Sequence, residues 1–257
     1  MRIVVKIGTS TLTYQNGCVN LRTFEALCRT VSDIKNAGHE VILVSSGAIA
    51  MGVGKLNLTA KPTDLAGKQA CAAVGQGELM YSYDRLFQEY NHTVAQLLLT
   101  APDLNTPDRL SKFENTIKRL LELKALPIIN ENDTVSTAEI EFGDNDTLAA
   151  EVAKAAKADL LVLLSDIDGL YTADPRSSSD ARLIPEVFEI SEDIVALAGG
   201  AGTKLGTGGM ETKIKAAKIA TAGGCDMVIT NGAYPERLYD IIDGNAIGTR
   251  FFSKKNS

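Results

Sequence analysis

The stretch RIVVKIGTS at residues 2–10 sets the architecture: a β-branched run breaks off at Lys6-Ile7 into Gly8, Thr9 and Ser10. Val and Ile are stiff at χ1 and favour extended backbone. A run that is apolar on both alternating faces belongs in a sheet covered by helices on both sides. The same pattern returns at residues 40–45 (EVILVS), 93–99 (TVAQLLL), 126–130 (LPIIN), 159–164 (DLLVLL) and 226–230 (DMVIT). Between these runs the period changes to that of helices. Leu21, Phe24, Leu27, Cys28, Val31 and Ile34 form one apolar stripe, with Asn20 as its N-cap and Gly38 as its stop. A second helix begins at Thr106-Pro107 and carries Leu110, Phe113, Ile117, Leu120 and Leu121, with proline at the first helical position. A third follows Asp144 with Leu148 and Val152, and two more start near Met210 and Pro235. Alternation of this kind predicts an α/β fold, a three-layer αβα sandwich around a mostly parallel sheet. We read one domain over residues 1–257 with two lobes that divide near residue 150.

Ligands of open α/β sheets bind beyond the carboxyl ends of the strands. The first strand ends in Lys6-Ile7-Gly8-Thr9-Ser10 and the second in Ser45-Ser46-Gly47-Ala48. The fourth ends in Asn130-Glu131-Asn132-Asp133 and the fifth in Ser165-Asp166-Ile167-Asp168-Gly169. Each pairs small residues with side chains able to grip polar groups, and four such ends on one edge point to a site. Glycine lets backbone N–H groups approach a phosphate, and Gly8 and Gly47 stand where a helix or turn begins, although either alone would serve a tight turn. The glycine-rich stretch at residues 199–209 fits a ligand-covering loop better than a linker. Its end, Gly206-Thr207-Gly208-Gly209-Met210-Glu211-Thr212-Lys213, runs into a helix start. Helical side chains lean toward the N-terminus, so Lys213 reaches back over that loop while Lys215 and Lys218 project to solvent.

Composition narrows the function classes. With 45% hydrophobic and 23% charged residues, the chain buries a core without a metal or disulfide staple. A net charge of -6 argues against a nucleic-acid partner. Cys18, Cys28, Cys71 and Cys225 form no CxxC pair, which suits free thiols in a reducing compartment. The apolar start is too short for a signal peptide, and no run is long enough to span a bilayer; a cytoplasmic protein is expected. No P-loop, dinucleotide fingerprint or protein-kinase motif set occurs, and His39 and His92 are the only histidines.

Taken together, the motifs resemble one family. VVKIGTS (4–10) is similar to the first-strand motif of the amino-acid kinase superfamily, and VSSGAIAMG (44–52) to the second glycine loop of its γ-glutamyl kinases. INENDTVSTAEIEFGDND (129–146) resembles their substrate loop, SDIDGLYTADPR (165–176) their nucleotide loop, and GTGGMETK (206–213) the lysine-bearing loop over the ATP phosphates. They occur in family order and span nearly the whole chain. The paired glycines and His-Gly-Gly loop of acetylglutamate kinases are replaced by Gly8-Thr9 and Ser45-Ser46-Gly47. Many bacterial γ-glutamyl kinases carry a C-terminal PUA domain; here the sequence stops soon after GTRFF (248–252), and a kinase domain without that module is expected.

The resemblance implies attack of the γ-carboxylate of L-glutamate on the γ-phosphorus of ATP, the first step of proline biosynthesis. A glutamate side chain is ionised at neutral pH, so no general base is required. The difficulty lies in joining an anion to a polyanion. On the family's pattern Lys6 and Lys213 take up that charge, Gly8 and Gly47 assist as phosphate loops, and Asp146 orients the lysines. On spacing alone, Asp146 reads equally as an acid at a helix N-terminus. Ser46, Asp133 and Asn145 are implied as glutamate contacts, although NEND alone would pass for an Asx-rich turn. Ser165, Asp166, Thr207, Gly208, Gly209, Met210, Glu211 and Thr212 join Lys6, Gly8 and Lys213 around the nucleotide. Mg²⁺ is expected to arrive with ATP, with no protein ligand assigned. Feedback inhibition by L-proline, a homo-oligomer and delivery of a labile product to a glutamyl phosphate reductase are further implications, with neither nucleic acid nor membrane involved. Three other readings remain at this point: another acid kinase of the same fold, a non-catalytic amino-acid or nucleotide sensor, and a nucleic-acid-binding protein, the weakest of them because the negative charge opposes it.

Overall fold

The computed structural model describes residues 1–14, 16–135, 145–198 and 209–254. Strand β1 (Arg2–Ile7) leads through α1 (Thr9–Leu12) and α2 (Leu21–Asn36) to β2 (Glu40–Ser45). Helices α3 (Ala48–Lys55) and α4 (Leu65–Gln88) precede β3 (Val94–Leu99), and α5 (Ala101–Asn105) and α6 (Pro107–Glu122) precede β4 (Leu126–Glu131). Then come α7 (Asn145–Ala155), β5 (Leu160–Ser165), β6 (Glu186–Val187) and α8 (Glu192–Ala198). The order closes with α9 (Met210–Ala222), β7 (Asp226–Asn231), α10 (Arg237–Ile242) and β8 (Thr249–Phe251).

These strands form one sheet in the order β3-β4-β2-β1-β5-β7-β8-β6, parallel throughout except between β7 and β8. The order places a topological switch point between β1 and β5. From β1 the chain crosses to β2 on one side, while beyond β5 it continues to strands on the other. A crevice at such a point, at the carboxyl ends, is where α/β sheets bind ligands.

Side-chain alternation along the strands divides the core in two. Val4, Ile42, Val44, Ile129, Leu161, Leu163, Met227 and Ile229 pack on one face with α6, α7 and α9. Ile3, Val5, Ile7, Leu43, Ile128, Val162 and Leu164 pack on the other with α2, α4 and α10. Lys6 follows Val4 in this alternation and therefore projects to the α7 face, whereas Ser45 follows Leu43 toward α4.

The six expected strands are present, with ends shifted by at most a residue. Asn20 caps α2 by accepting from the Thr23 N–H at 3.4 Å, Gly38 ends it at φ +95, and α6 starts at Pro107. Two short strands, β8 and the edge strand β6, and the long helix α4 were not legible from periodicity. The apolar spacing of Leu79, Tyr83 and Phe87 is confined to the C-terminal half of α4, and the N-terminal half buries Cys71, Ala72, Gly75 and Gln76. These small residues allow close backbone approach instead: a Cβ on Gly52 would fall 1.9 Å from the Cys71 carbonyl oxygen, and one on Gly75 1.8 Å from that of Ala48. Helices α3 and α4 thus meet backbone to backbone, which fixes the turn between β2 and α3.

Candidate functional site

The carboxyl ends of β1, β2, β4 and β5 lie on one edge, as their parallel pairing requires. Above them α7 and α9 pack together through small buried residues: Ala149, Ala150 and Ala153 on one, Ala216, Ala217 and Ala220 on the other. Small residues let the axes approach, so the first turns of both helices open side by side over β1. Asp146 occupies the first turn of α7 and Lys213 that of α9.

These two side chains meet Lys6 in the interior. The Lys6 ammonium is 2.7 Å from Asp146 Oδ1, and the Lys213 ammonium donates to Asp146 Oδ2 at 3.0 Å. The Thr212 hydroxyl lies 3.3 Å from the same Oδ2 and 2.7 Å from the Gly209 carbonyl. Asp146 is wholly buried, and Lys6 and Lys213 are 9% and 4% exposed. Lys215 and Lys218, two and five positions along, are exposed as expected. Burial pushes the Asp146 carboxyl up, but the Lys6 and Lys213 ammonium groups outweigh it and hold the group below its ordinary value. Among the described residues, two cations around one anion leave a net positive centre, reinforced by two helix N-termini, and such a centre suits a polyanion.

Gly8 adjoins this centre. Its φ of -74 suits any residue, and a Cβ there would make only ordinary contacts, 3.5 Å from the Leu164 carbonyl oxygen and 3.9 Å from the Lys6 Nζ, so Gly8 marks the open space beside that ammonium rather than a clash. Gly47 is different. It caps α3 at φ +109, a conformation costly for residues bearing a Cβ.

Beside the cationic centre, the Asn145 amide Nδ2 lies 2.7 Å from Ser46 Oγ, 3.1 Å from Asn130 Oδ1 and 3.3 Å from the Ser45 carbonyl. Asn145 Oδ1 is buried and has no hydrogen-bond partner among the described residues. A buried acceptor left open in this way is a place for a ligand's donor. Asp133 lies in the turn after β4 and lines a small cavity with Ala48, Gln76 and Leu98. Ala48 follows Gly47, so this cavity borders the β2–α3 turn.

On the other side, the Ser165 hydroxyl donates to Asp166 Oδ1 at 3.2 Å, and Arg176 Nη2 pairs with Asp166 at 3.5 Å. Met210 and Glu211 stand with Thr212 in the first turn of α9 and Gly209 immediately before it. Thr207, Gly208 and most of the stretch at 199–209 lie outside the described residues, as does the central part of the motif at 129–146.

Sequence reasoning missed the chain of amides behind Asn145, which runs from buried Asn130 and Gln76 to exposed Gln96. Asn130 Nδ2 donates to Gln76 Oε1 at 3.0 Å, and Gln76 Nε2 donates to Gln96 Oε1 at 3.3 Å. Gln96 was visible as the one polar residue inside an apolar strand. Gln76 carried no such signal, because α4 itself was not legible.

The sequence matches the model of the amino acid kinase family over residues 1–231. The glutamate 5-kinase of Clostridium tetani is 56% identical over 249 residues, 97% of this chain and 93% of that protein. The glutamate 5-kinase of Carboxydothermus hydrogenoformans is also 56% identical, over 99% of this chain and 68% of that protein. Among solved structures, the carbamate kinase of Giardia lamblia bound to AMP-PNP aligns with a TM-score of 0.69 at 18% identity, covering 98% of both chains. The T. acidophilum isopentenyl phosphate kinase aligns at 0.67 and 17%, over 98% of this chain and 100% of that one. At those identities the structural likenesses speak to the fold alone.

Proposed function

This chain belongs to the amino acid kinase family, and from that premise we propose that it transfers the γ-phosphoryl group of ATP to the γ-carboxylate of L-glutamate, giving γ-glutamyl phosphate for proline biosynthesis. The observation that carries the reading is the buried Lys6–Asp146–Lys213 centre at the switch point of the sheet. Relatives named glutamate 5-kinase at 56% identity supply the acceptor.

The roles follow from chemistry. Lys6 and Lys213 turn from Asp146 to the phosphate oxygens and neutralise charge on the transferring group. Asp146 keeps both ammonium groups in register and abstracts no proton, since the attacking carboxylate is already ionised. The space beside Gly8 receives phosphoryl oxygens. Ser46, Asn145 and Asp133 grip glutamate, the open Asn145 Oδ1 and the Asp133 carboxylate being acceptors suited to an α-ammonium group. Ser165, Asp166 and residues 207–213 hold the nucleotide. The half of the sheet made by β3, β4, β2 and β1 thus serves the acid and the other half the nucleotide, with the division near residue 150.

Mg²⁺ fits as a companion of ATP. Both Asp146 oxygens are engaged by ammonium groups, and no group of three or more His, Cys, Asp or Glu side chains forms a metal cage among the described residues. An ion carried by phosphate oxygens and water suits such a site. No helix among the described residues is long and apolar enough to cross a membrane. We place the protein in the cytoplasm as a homo-oligomer sensitive to L-proline, passing its product to a glutamyl phosphate reductase.

Hydroxylamine trapping tests the reaction. The γ-hydroxamate of glutamate should appear only when ATP and L-glutamate are both present, and its absence, or equal yield with acetylglutamate or aspartate, refutes the assignment. The full chain with Asp133→Ala should show a KM for glutamate raised about tenfold or more, the worth of a charged hydrogen bond. Its KM for ATP should be unchanged. Steady-state kinetics with each substrate varied will read this, and an effect confined to ATP counts against the role.

A further inference from the structure

Helix α4 carries Tyr83, whose ring is wholly buried between Phe24, edge-on at 4.6 Å between centroids, and Phe87, stacked at 6.0 Å. Phenylalanine would fill this place equally well, so the hydroxyl is not there for packing. A hydroxyl taken into an apolar core is costly unless bonded. Its partner is Ser45 Oγ, 2.9 Å away at the end of β2.

The direction of this bond follows from the next one. The Ser45 hydroxyl donates to the Ser46 carbonyl at 3.1 Å, and that oxygen can only accept. The Ser45 hydrogen is thereby used, so Tyr83 donates into Ser45 Oγ. Burial pushes the Tyr83 phenol well above its ordinary value, which keeps it a permanent donor. A donor chain therefore runs from the α4 face of the sheet to the peptide that joins Ser46 to Gly47.

No cis peptide bond occurs among the described residues. In a trans peptide the C=O and N–H point in opposite directions. Holding the Ser46 carbonyl toward Ser45, on the α4 side, aims the Gly47 N–H away from α4, toward the side where Lys6 projects. This N–H has no acceptor among the described residues. Gly47 at φ +109 is the residue that lets the chain take this turn.

We propose that Tyr83 is a positioning residue: acting through Ser45, it locks the Ser46–Gly47 peptide so that the Gly47 N–H faces the oxygen that gains charge during phosphoryl transfer. The assignment rests on the kinase reading above, since it presupposes an anion in front of Gly47. A preoriented N–H contributes in the transition state rather than in ground-state binding. Loss of the lock should therefore appear in kcat.

The test uses Tyr83→Phe, Ser45→Ala and the double variant, each in the full chain and assayed by hydroxamate formation well below its melting temperature. Each single variant should lower kcat about five- to tenfold, with both KM values within about twofold. Because the two hydroxyls act in series, the double variant should be no slower than the slower single. A kcat within twofold of the parent in either single, or losses that multiply in the double, overturns the proposal. A merely structural role would lower Tm and leave kcat intact. Should the parent protein itself form no γ-hydroxamate, the kinase reading fails; should it do so while the variants match it, only the role of Tyr83 fails.

Discussion

Replacement of Lys213 by alanine should lower kcat by about 10³-fold, the loss that follows removal of one preorganised donor to developing charge. The structure indicates why the fold should survive. Asp146 keeps the Lys6 ammonium at 2.7 Å, so no buried carboxylate is stranded. The backbone of α9 keeps its place through Ile214, Ala216, Ala217 and Ala220, all buried against α7 and the sheet. A truncated side chain leaves a polar gap that water can fill, and alanine is the best helix former. Circular dichroism and a melting curve near those of the parent, together with the drop in hydroxamate formation, are the expected outcome. Near-normal turnover would remove Lys213 from the chemistry. Lys218→Ala makes the control: its side chain is exposed on the same helix, and activity should not change. Arginine at 213 should rescue poorly, because a planar guanidinium does not fit a space shaped for a compact ammonium.

How this centre could be read from sequence depends on the residue. Lys6 and Ser46 were legible because each ends a β-branched run, where period and punctuation agree. Lys213 was legible through helical geometry, since only this lysine of α9 lies in the first turn, and burial separates it from Lys215 and Lys218 as that argument requires. Asp146 was ambiguous on spacing alone. Its partners come from positions 140 and 67 residues away, and no local pattern encodes such a meeting. Helix α4 escaped notice for a related reason: glycine and alanine at its contacts with α3 carry little hydrophobic signal, yet they govern how closely the two backbones approach. Tyr83 and Gln76 inherit that blindness, and Asn130 was legible only as part of a polar strand end. Their importance lies in hydrogen bonds across elements, whereas sequence periodicity reports only which face of an element is apolar.

Asp146→Asn should separate stability from binding. The change keeps the shape of the side chain and removes a charge that both Lys6 and Lys213 face. Breaking a buried pair by deleting one partner costs about 3–5 kcal/mol, and urea denaturation of the ligand-free protein should show a loss of that order. A pH signature should vanish with it. The folded-state pKa of Asp146 lies below its unfolded value, so its contribution is fully present at neutral pH. It is lost as pH falls below about 4 and through the folded pKa. The slope of Tm against pH in that acid range should therefore be shallower in the variant. ATP reverses the balance, because its phosphates offer the two ammonium groups the counter-charge that asparagine does not. The rise in Tm on adding ATP should be larger in the variant than in the parent, while kcat falls by about 10²-fold or more as the lysines lose their register. If ATP instead failed to stabilise the variant, Asp146 would be a direct contact for the nucleotide or its ion rather than the group that holds the lysines, and the division of roles in this site would have to be redrawn.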